Sequence, residues 1–154
     1  IGNDHFAYYE TVAGGQGARP GRDGQSGIQT GMTNTKNTPR ESIETHYPFR
    51  VLQTKLRHGS GGRGRFRGGD GIVRELVFDE PATLSLMGER RRHGPWGLAG
   101  GEPGAPGEDW LIRRDGSRER LPAKTSVEVE PGERLLILTP GGGGWGSPAQ
   151  AIRP

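Results

Sequence analysis

Apolar residues fall in short runs, and most of these runs lie in the second half of the chain. The first, Phe6-Ala7-Tyr8-Tyr9-Glu10-Thr11-Val12, is aromatic and β-branched and reads as a strand. From Gly14 to about Pro39 no apolar period of 2 or 3.6 appears, which predicts a long loop. Thr38-Pro39-Arg40-Glu41 reads as a helix opening, with Thr38 as N-cap, Pro39 at the first helical position and Glu41 three residues after the cap. The helix is short, because Tyr47-Pro48 returns the backbone to extended geometry.

Residues 49–56 then read as a strand, and residues 57–71 carry seven glycines in fifteen positions, which suits turns and close backbone packing. Further strands are expected at 72–78, 83–86, 109–113, 117–121, 126–129 and 134–139. Asp115-Gly116 is a hairpin signal. Pro131-Gly132 fits the centre of a type II turn. Residues 134–139 are apolar on both faces, as in a central or covered strand. The fold class is therefore mainly β: an antiparallel β sandwich or barrel-like domain with long glycine-rich loops and little helix. The chain reads as a single segment over 1–154, with a strand and long polar or glycine-rich loops in 1–71 and a β-rich part in 72–148.

Composition alters this picture in one respect. Leu, Ile, Val and Phe number 28 of 154 residues, a level typical of disordered chains, yet the net charge is only +3. The deficit of aliphatics comes from 29 glycines. Long glycine loops are entropically costly, so other protein surface is expected to hold them down. The chain opens at Ile1 without an initiator methionine and is expected to be processed or cut from a longer one. With no cysteine, disulfides and thiolate metal sites are excluded, in keeping with a cytoplasmic protein. There is no run of 18 apolar residues, so no membrane helix is expected. The pI near 9.7 reflects 21 basic against 18 acidic residues, and the dispersed arginines do not imply nucleic-acid binding.

The candidate chemistry lies in the first half. The segment Asn34-Thr35-Lys36-Asn37-Thr38-Pro39-Arg40-Glu41-Ser42-Ile43-Glu44-Thr45-His46 gathers amides, hydroxyls, carboxylates and an imidazole. Asn34, Asn37, Glu41, Glu44 and His46 are candidate catalytic or pocket-lining residues, with His46 suited to proton transfer near neutral pH. The alternative is local: Asn and Thr bond nearby backbone, and Glu41 and Glu44 cap or solvate a helical turn. Thr35, Arg63, Arg67 and Asp70 are candidate substrate-binding residues, the arginines lying in a glycine-rich run able to present backbone N–H groups. Gly59-Ser60-Gly61-Gly62-Arg63-Gly64 spells a dinucleotide fingerprint, but no helix follows it, so structural turns are the better reading. His5, His46, His58 and His93 form no HxH or HxxxH pair, and no metal site is expected within the chain. Arg90-Arg91-Arg92-His93 reads as a solvated basic loop.

The order of these segments resembles the hydantoinase B / 5-oxoprolinase family. The matching blocks are Tyr8-Tyr9-Glu10-Thr11 with Gly14-Gly15-Gln16-Gly17-Ala18-Arg19, then Gly31-Met32-Thr33-Asn34-Thr35 with Asn37-Thr38-Pro39. They continue through Glu41, Glu44 and Tyr47-Pro48 to Gly59-Ser60-Gly61-Gly62-Arg63-Gly64, Arg67-Gly68-Gly69-Asp70-Gly71 and Pro140-Gly141-Gly142-Gly143-Gly144-Trp145-Gly146. The resemblance implies the C-terminal part of a large B-type subunit, working with its own N-terminal remainder and with a hydantoinase A-like, actin-fold ATPase subunit. It implies a hetero- or homo-oligomer with no nucleic-acid or membrane partner. The implied reaction is ATP-dependent hydrolysis of a cyclic amide such as 5-oxoproline or N-methylhydantoin through a phosphorylated intermediate. ATP and a divalent metal are then expected in the whole complex and none in this chain, which would be inactive alone. Two alternatives remain: a component of an acetone- or acetophenone-type carboxylase, or a non-catalytic β module for subunit assembly.

Overall fold

The computed structural model describes residues 1–31 and 34–148. Its elements are α1 (Arg40–His46), β1 (Phe49–Arg57), β2 (Gly71–Phe78), β3 (Ala82–Met87), β4 (Glu108–Ile112), β5 (Arg118–Arg120), β6 (Lys124–Val129) and β7 (Arg134–Leu138). Five strands form one sheet in the order β1-β2-β7-β4-β5, and β3 pairs with β6 in a second sheet. Every pairing between strands is antiparallel. The two sheets face each other across one core, so the architecture is an open antiparallel sandwich. Phe49, Val51, Leu76, Phe78, Leu111 and Leu135 come from the larger sheet, Leu84 and Val129 from the smaller, and Ile43 from α1. The expected central strand is β7, flanked on both sides by β2 and β4. Gly116 and Gly132 take φ near +85°, as the hairpin and the type II turn require.

Two expected local features differ. Residues 6–12 are not a strand. They are extended, and Phe6 and Tyr8 pack against Tyr47 and Phe49 while Tyr9 is 87% exposed. Only the start of this stretch makes ladder bonds: Gly2, which also bridges Thr83, bridges Ala7, and Tyr8 N–H donates to the Ile1 carbonyl. β propensity measures fit to a half-buried surface, which this segment has, and not backbone pairing, which it lacks. The helix also begins one residue later than expected. Pro39 is the N-cap, no side chain caps the helix, and Arg40 is the first helical residue.

Within this chain the glycine-rich loops pair with one another. Residues 140–144 run through the middle of a bundle of extended segments. Successive glycines face different neighbours: Gly141 the Ser60 carbonyl, Gly142 the Gln16 carbonyl, Gly143 the Trp96 carbonyl and Gly144 the Arg63 carbonyl. The return to the same neighbouring segment after three residues is the period of a polyproline II-type helix. That helix has no internal hydrogen bonds, so its backbone groups must pair between segments. They do: Gly142 N–H donates to Gly69 O, Gly62 N–H to Gly142 O, Ala18 N–H to Gly143 O and Gly144 N–H to Glu102 O, at 2.8–2.9 Å. A methyl group at Gly15, Gly24, Gly61, Gly69 or Gly142 would overlap a backbone carbonyl of the neighbouring segment.

Two side chains, Thr139 and Arg57, tie the bundle to the large sheet, and Asp70 ties parts of the bundle to each other. Thr139 Oγ1 donates to Ala13 O at 2.8 Å and accepts from Ile72 N–H at 2.6 Å. Arg57 Nη1 donates to Pro106 O at 2.7 Å while Nη2 meets Glu108 Oε1 at 3.1 Å. Asp70, 5% exposed, accepts from Gly61 N–H at 2.9 Å and from Arg67 Nη2 at 2.7 Å. Burial by itself would raise the Asp70 carboxyl, but the N–H groups of Gly61 and Gly59 and the Arg67 guanidinium outweigh it and hold the group below the usual carboxylate range.

Gly142→Ala is expected to destabilise the protein by at least about 2 kcal/mol, because backbone on every side must move. Gly17→Ala, where the nearest atom is 3.9 Å away, should stay within about 0.5 kcal/mol of the parent. Thermal unfolding of the two variants checks this, and equal melting temperatures would refute it. Asp70→Asn should cost about 1–3 kcal/mol near neutral pH. A depressed folded-state pKa gives stability that is present above the unfolded value near 3.8 and fades as pH falls through the lower folded value. The melting temperatures of parent and Asp70→Asn should therefore converge on acidification below that value. A gap of constant size down to strongly acid pH would mean the charge of Asp70 contributes nothing.

Candidate functional site

Strand β2 is apolar except for Arg74 and Glu75, which point to opposite faces of the sheet. Glu75 faces outward and pairs with Arg134 Nη1 at 2.8 Å and Gln53 Nε2 at 2.6 Å. Arg74 lies on the core side, in register with Ile137 of β7, whose other neighbour is Asp109 of β4. Each of these two inward charges is neutralised by a partner from outside the sheet. Arg91 grips Asp109 through two bonds of 2.8 and 2.9 Å. Arg74 Nη2 meets Glu10 Oε2 at 2.9 Å, with side chains 6% and 9% exposed.

The second oxygen of Glu10 faces the polar loop. Glu10 Oε1 accepts from Asn37 Nδ2 at 3.0 Å and from Thr38 N–H at 3.2 Å. Asn37 Nδ2 also reaches Thr11 O at 3.2 Å. Gln29, itself buried, donates to Thr11 O at 2.7 Å and accepts from Thr35 Oγ1 at 3.0 Å. Glu10, Arg74, Gln29, Thr35, Asn37 and Thr38 thus form one polar cluster at the edge of the apolar core. Arg74 Nε is buried with no hydrogen-bond partner, and the Tyr8 hydroxyl is buried beside the cluster, close to Thr38 and Glu10. Burial pushes the Tyr8 phenol up, so it stays a neutral donor across the physiological range.

The sequence-derived candidates divide into three places. Thr35 and Asn37 enter this cluster. Asn34 is exposed beside it, its N–H bonded to Gly31 O at 3.2 Å; Met32 and Thr33 of the same loop lie outside the described residues. Glu41, Glu44 and His46 lie on α1. Glu41 and His46 are exposed, and His46 Nδ1 is 2.8 Å from Ser42 O. Glu44 Oε1 bonds Arg40 Nε at 2.9 Å and accepts from Val51 N–H at 3.0 Å, which closes part of the open edge of β1.

Arg63, Arg67 and Asp70 belong to the glycine bundle. There an open cleft of about 590 Å³ is lined by Gly59, Ser60, Gly61, Gly62, Arg63, Arg67, Glu102 and Gly104. Both arginines in it already face carboxylates: Arg63 meets Glu102 at 3.0 Å and Arg67 meets Asp70 at 2.7 Å. Among the described residues no three His, Asp or Glu converge as a metal-binding group would, and no helix is long and apolar enough to cross a membrane.

Glu10, Arg74, Tyr8 and Gln29 escaped the sequence reading. A signal for two of them existed. Glu10 occupies an inward position in the alternation Phe6, Tyr8, Glu10, and Arg74 interrupts an apolar run; charges at such positions require partners.

The Hydantoinase B/oxoprolinase sequence profile matches residues 1–148. The 5-oxoprolinase 1 of Arabidopsis thaliana is 51% identical over 147 residues, covering 96% of this chain and 12% of that protein. Among solved structures, the ATP-dependent caprolactamase from Pseudomonas jessenii superposes with a TM-score of 0.76 at 30% identity, over 92% of this chain and 25% of that one. The nucleotide-free acetone carboxylase shares the fold with a TM-score of 0.74 at 22% identity, over 91% of this chain and 23% of that one. The chain thus spans about an eighth of the plant protein and a quarter of the caprolactamase chain. On the profile match and the plant relative together, the chain belongs to the Hydantoinase B/oxoprolinase family.

Proposed function

We propose that this chain is the C-terminal segment of an ATP-dependent enzyme that opens cyclic amides, 5-oxoproline being the first substrate to test, and that it contributes part of the wall of the substrate pocket. The observation that carries the reading is the 51% identity to a plant 5-oxoprolinase across nearly the whole segment. The similarity to a caprolactamase adds a second protein whose name is that of an ATP-dependent lactam hydrolase. An amide carbonyl is a poor electrophile. Transfer of phosphate from ATP to the amide oxygen converts that oxygen into part of a leaving group and lets water attack the ring carbon.

In this reading, ATP and a divalent metal are held by protein beyond this segment. The partners are the N-terminal remainder of the B-type subunit and a hydantoinase A-like ATPase. The plant relative is about twice the length of the caprolactamase chain, as expected if it carries an additional subunit-sized part. The segment's own share is the polar loop. Asn34 is exposed on it, and Thr35 and Asn37 tie the loop to the body of the protein.

The test uses the whole enzyme with its ATPase partner. ADP release should depend on 5-oxoproline or another lactam and match ring-opened product one for one. Asn34→Ala is expected to reduce turnover by about tenfold or more while subunit assembly stays intact. ATP turnover driven by a ketone and bicarbonate, and not by any lactam, would replace this reading with the carboxylase one. An unchanged rate in Asn34→Ala would remove the loop from the pocket wall.

A further inference from the structure

We propose that Glu10 is a positioning residue, oriented by Arg74, that holds residues 35–38 of the polar loop in the arrangement the ring-opening reaction uses. This inference rests on the functional reading above and adds to it two residues that do not themselves reach the pocket surface.

The argument starts from what the ion pair lacks. A buried salt bridge is weak evidence for stability, since desolvation of both ions offsets their attraction unless every remaining polar atom is satisfied. Here Arg74 Nε is buried without a partner. A pair that served only the core would be replaceable by apolar side chains at little cost. The carboxylate of Glu10 is instead divided between two structures. One oxygen faces Arg74 on β2, and the other accepts from the side chain of Asn37 and the backbone N–H of Thr38. Arg74 stands on the second strand of the large sheet, in register with Thr54 of β1 and Ile137 of β7, so its backbone is paired on both sides.

Residues 34–38 have no strand or helix of their own. Their tethers to the rest of the protein include Thr35 to Gln29, Asn37 to Thr11, and Asn37 and Thr38 to Glu10. As Glu44 of the following helix leads to the edge of β1, Glu10 leads from the loop itself to β2 through Arg74. It therefore passes the rigidity of the sheet to the loop, as a supporting shell must if pocket residues are to be held in place.

The test compares two double variants in the whole enzyme, assayed for lactam-dependent ADP release. Glu10→Gln with Arg74→Gln removes both charges but keeps a hydrogen-bonded pair between residue 10 and β2, together with an oxygen that Asn37 and Thr38 can bond. Glu10→Leu with Arg74→Met removes the charges and the oxygen together. Kept turnover, within about threefold of the parent, is expected for the first, and a loss of about tenfold or more for the second, with assembly and melting temperature alike in both. Deuterium exchange at the Thr38 amide should accelerate by about tenfold or more in the Leu variant only.

Equal turnover in the two double variants, whether high or low, would overturn the assignment. If the Leu variant does not assemble, Glu10→Asp decides. It keeps the charge for Arg74 but draws the carboxylate back from the loop, so parent-like turnover and Thr38 exchange in it would equally overturn the assignment. A parent enzyme that opens no lactam would sink the functional reading instead. The exchange rates at Thr38 then still decide whether Glu10 holds the loop.

Discussion

Everything in this chain is arranged around residues 140–144, a stretch of backbone with no room for a side chain on any of its glycines. Close approach of extended segments has a definite physical return. It allows N–H groups of one segment to meet carbonyls of the next without a sheet, and it places Cα hydrogens against carbonyl oxygens, a weak but repeated contact. The bundle is thus stabilised by backbone bonds and exclusion of water more than by apolar burial. That explains how a chain with so few aliphatic residues orders such long loops. It also explains why the loops are spread along the sequence in separate blocks: each block supplies one or two passes of the bundle.

The large sheet passes from an ordinary sandwich core into this bundle along one strand direction. The row Leu76, Leu135 and Leu111 is apolar and faces the small sheet. The next row contains Arg74, Ile137 and Asp109, and the row beyond it meets Thr139 and the bundle. The two charges at this boundary are each met by a side chain from a long loop, Glu10 from the N-terminal segment and Arg91 from the 88–107 loop. Charges placed at the end of an apolar core act as anchors here. A loop that failed to bring its partner would leave a buried ion uncompensated, which is far more costly than a lost apolar contact.

This placement has a consequence for chemistry. The polar loop that carries Asn34, Thr35 and Asn37 hangs from the same boundary, through Glu10. Its position is therefore coupled to the sheet as well as to the segments that enter the glycine bundle, whose own arginines are already paired with carboxylates. A segment built in this way suits a role as one wall of a pocket completed by other parts of a larger protein.

The strand pattern was legible in the sequence because β2, β3, β6 and β7 each bury at least one face, and burial imposes alternation or continuous apolarity on residues that are close in sequence. The turns at Asp115-Gly116 and Pro131-Gly132 were legible for the same local reason, whereas the bond from Glu44 to the edge of β1 was not. Residues 6–12 misled, because aromatic and β-branched side chains mark a half-buried surface whether or not a neighbouring strand pairs with it. What the sequence by itself determined is the set of elements and the places where a side chain is forbidden. Which glycine meets which carbonyl, and that Glu10 finds Arg74 while Asp109 finds Arg91, was decided only by the tertiary structure. These partners lie many residues apart, and nothing local in a chain encodes the distance or direction between two groups that only the packing of the whole brings together.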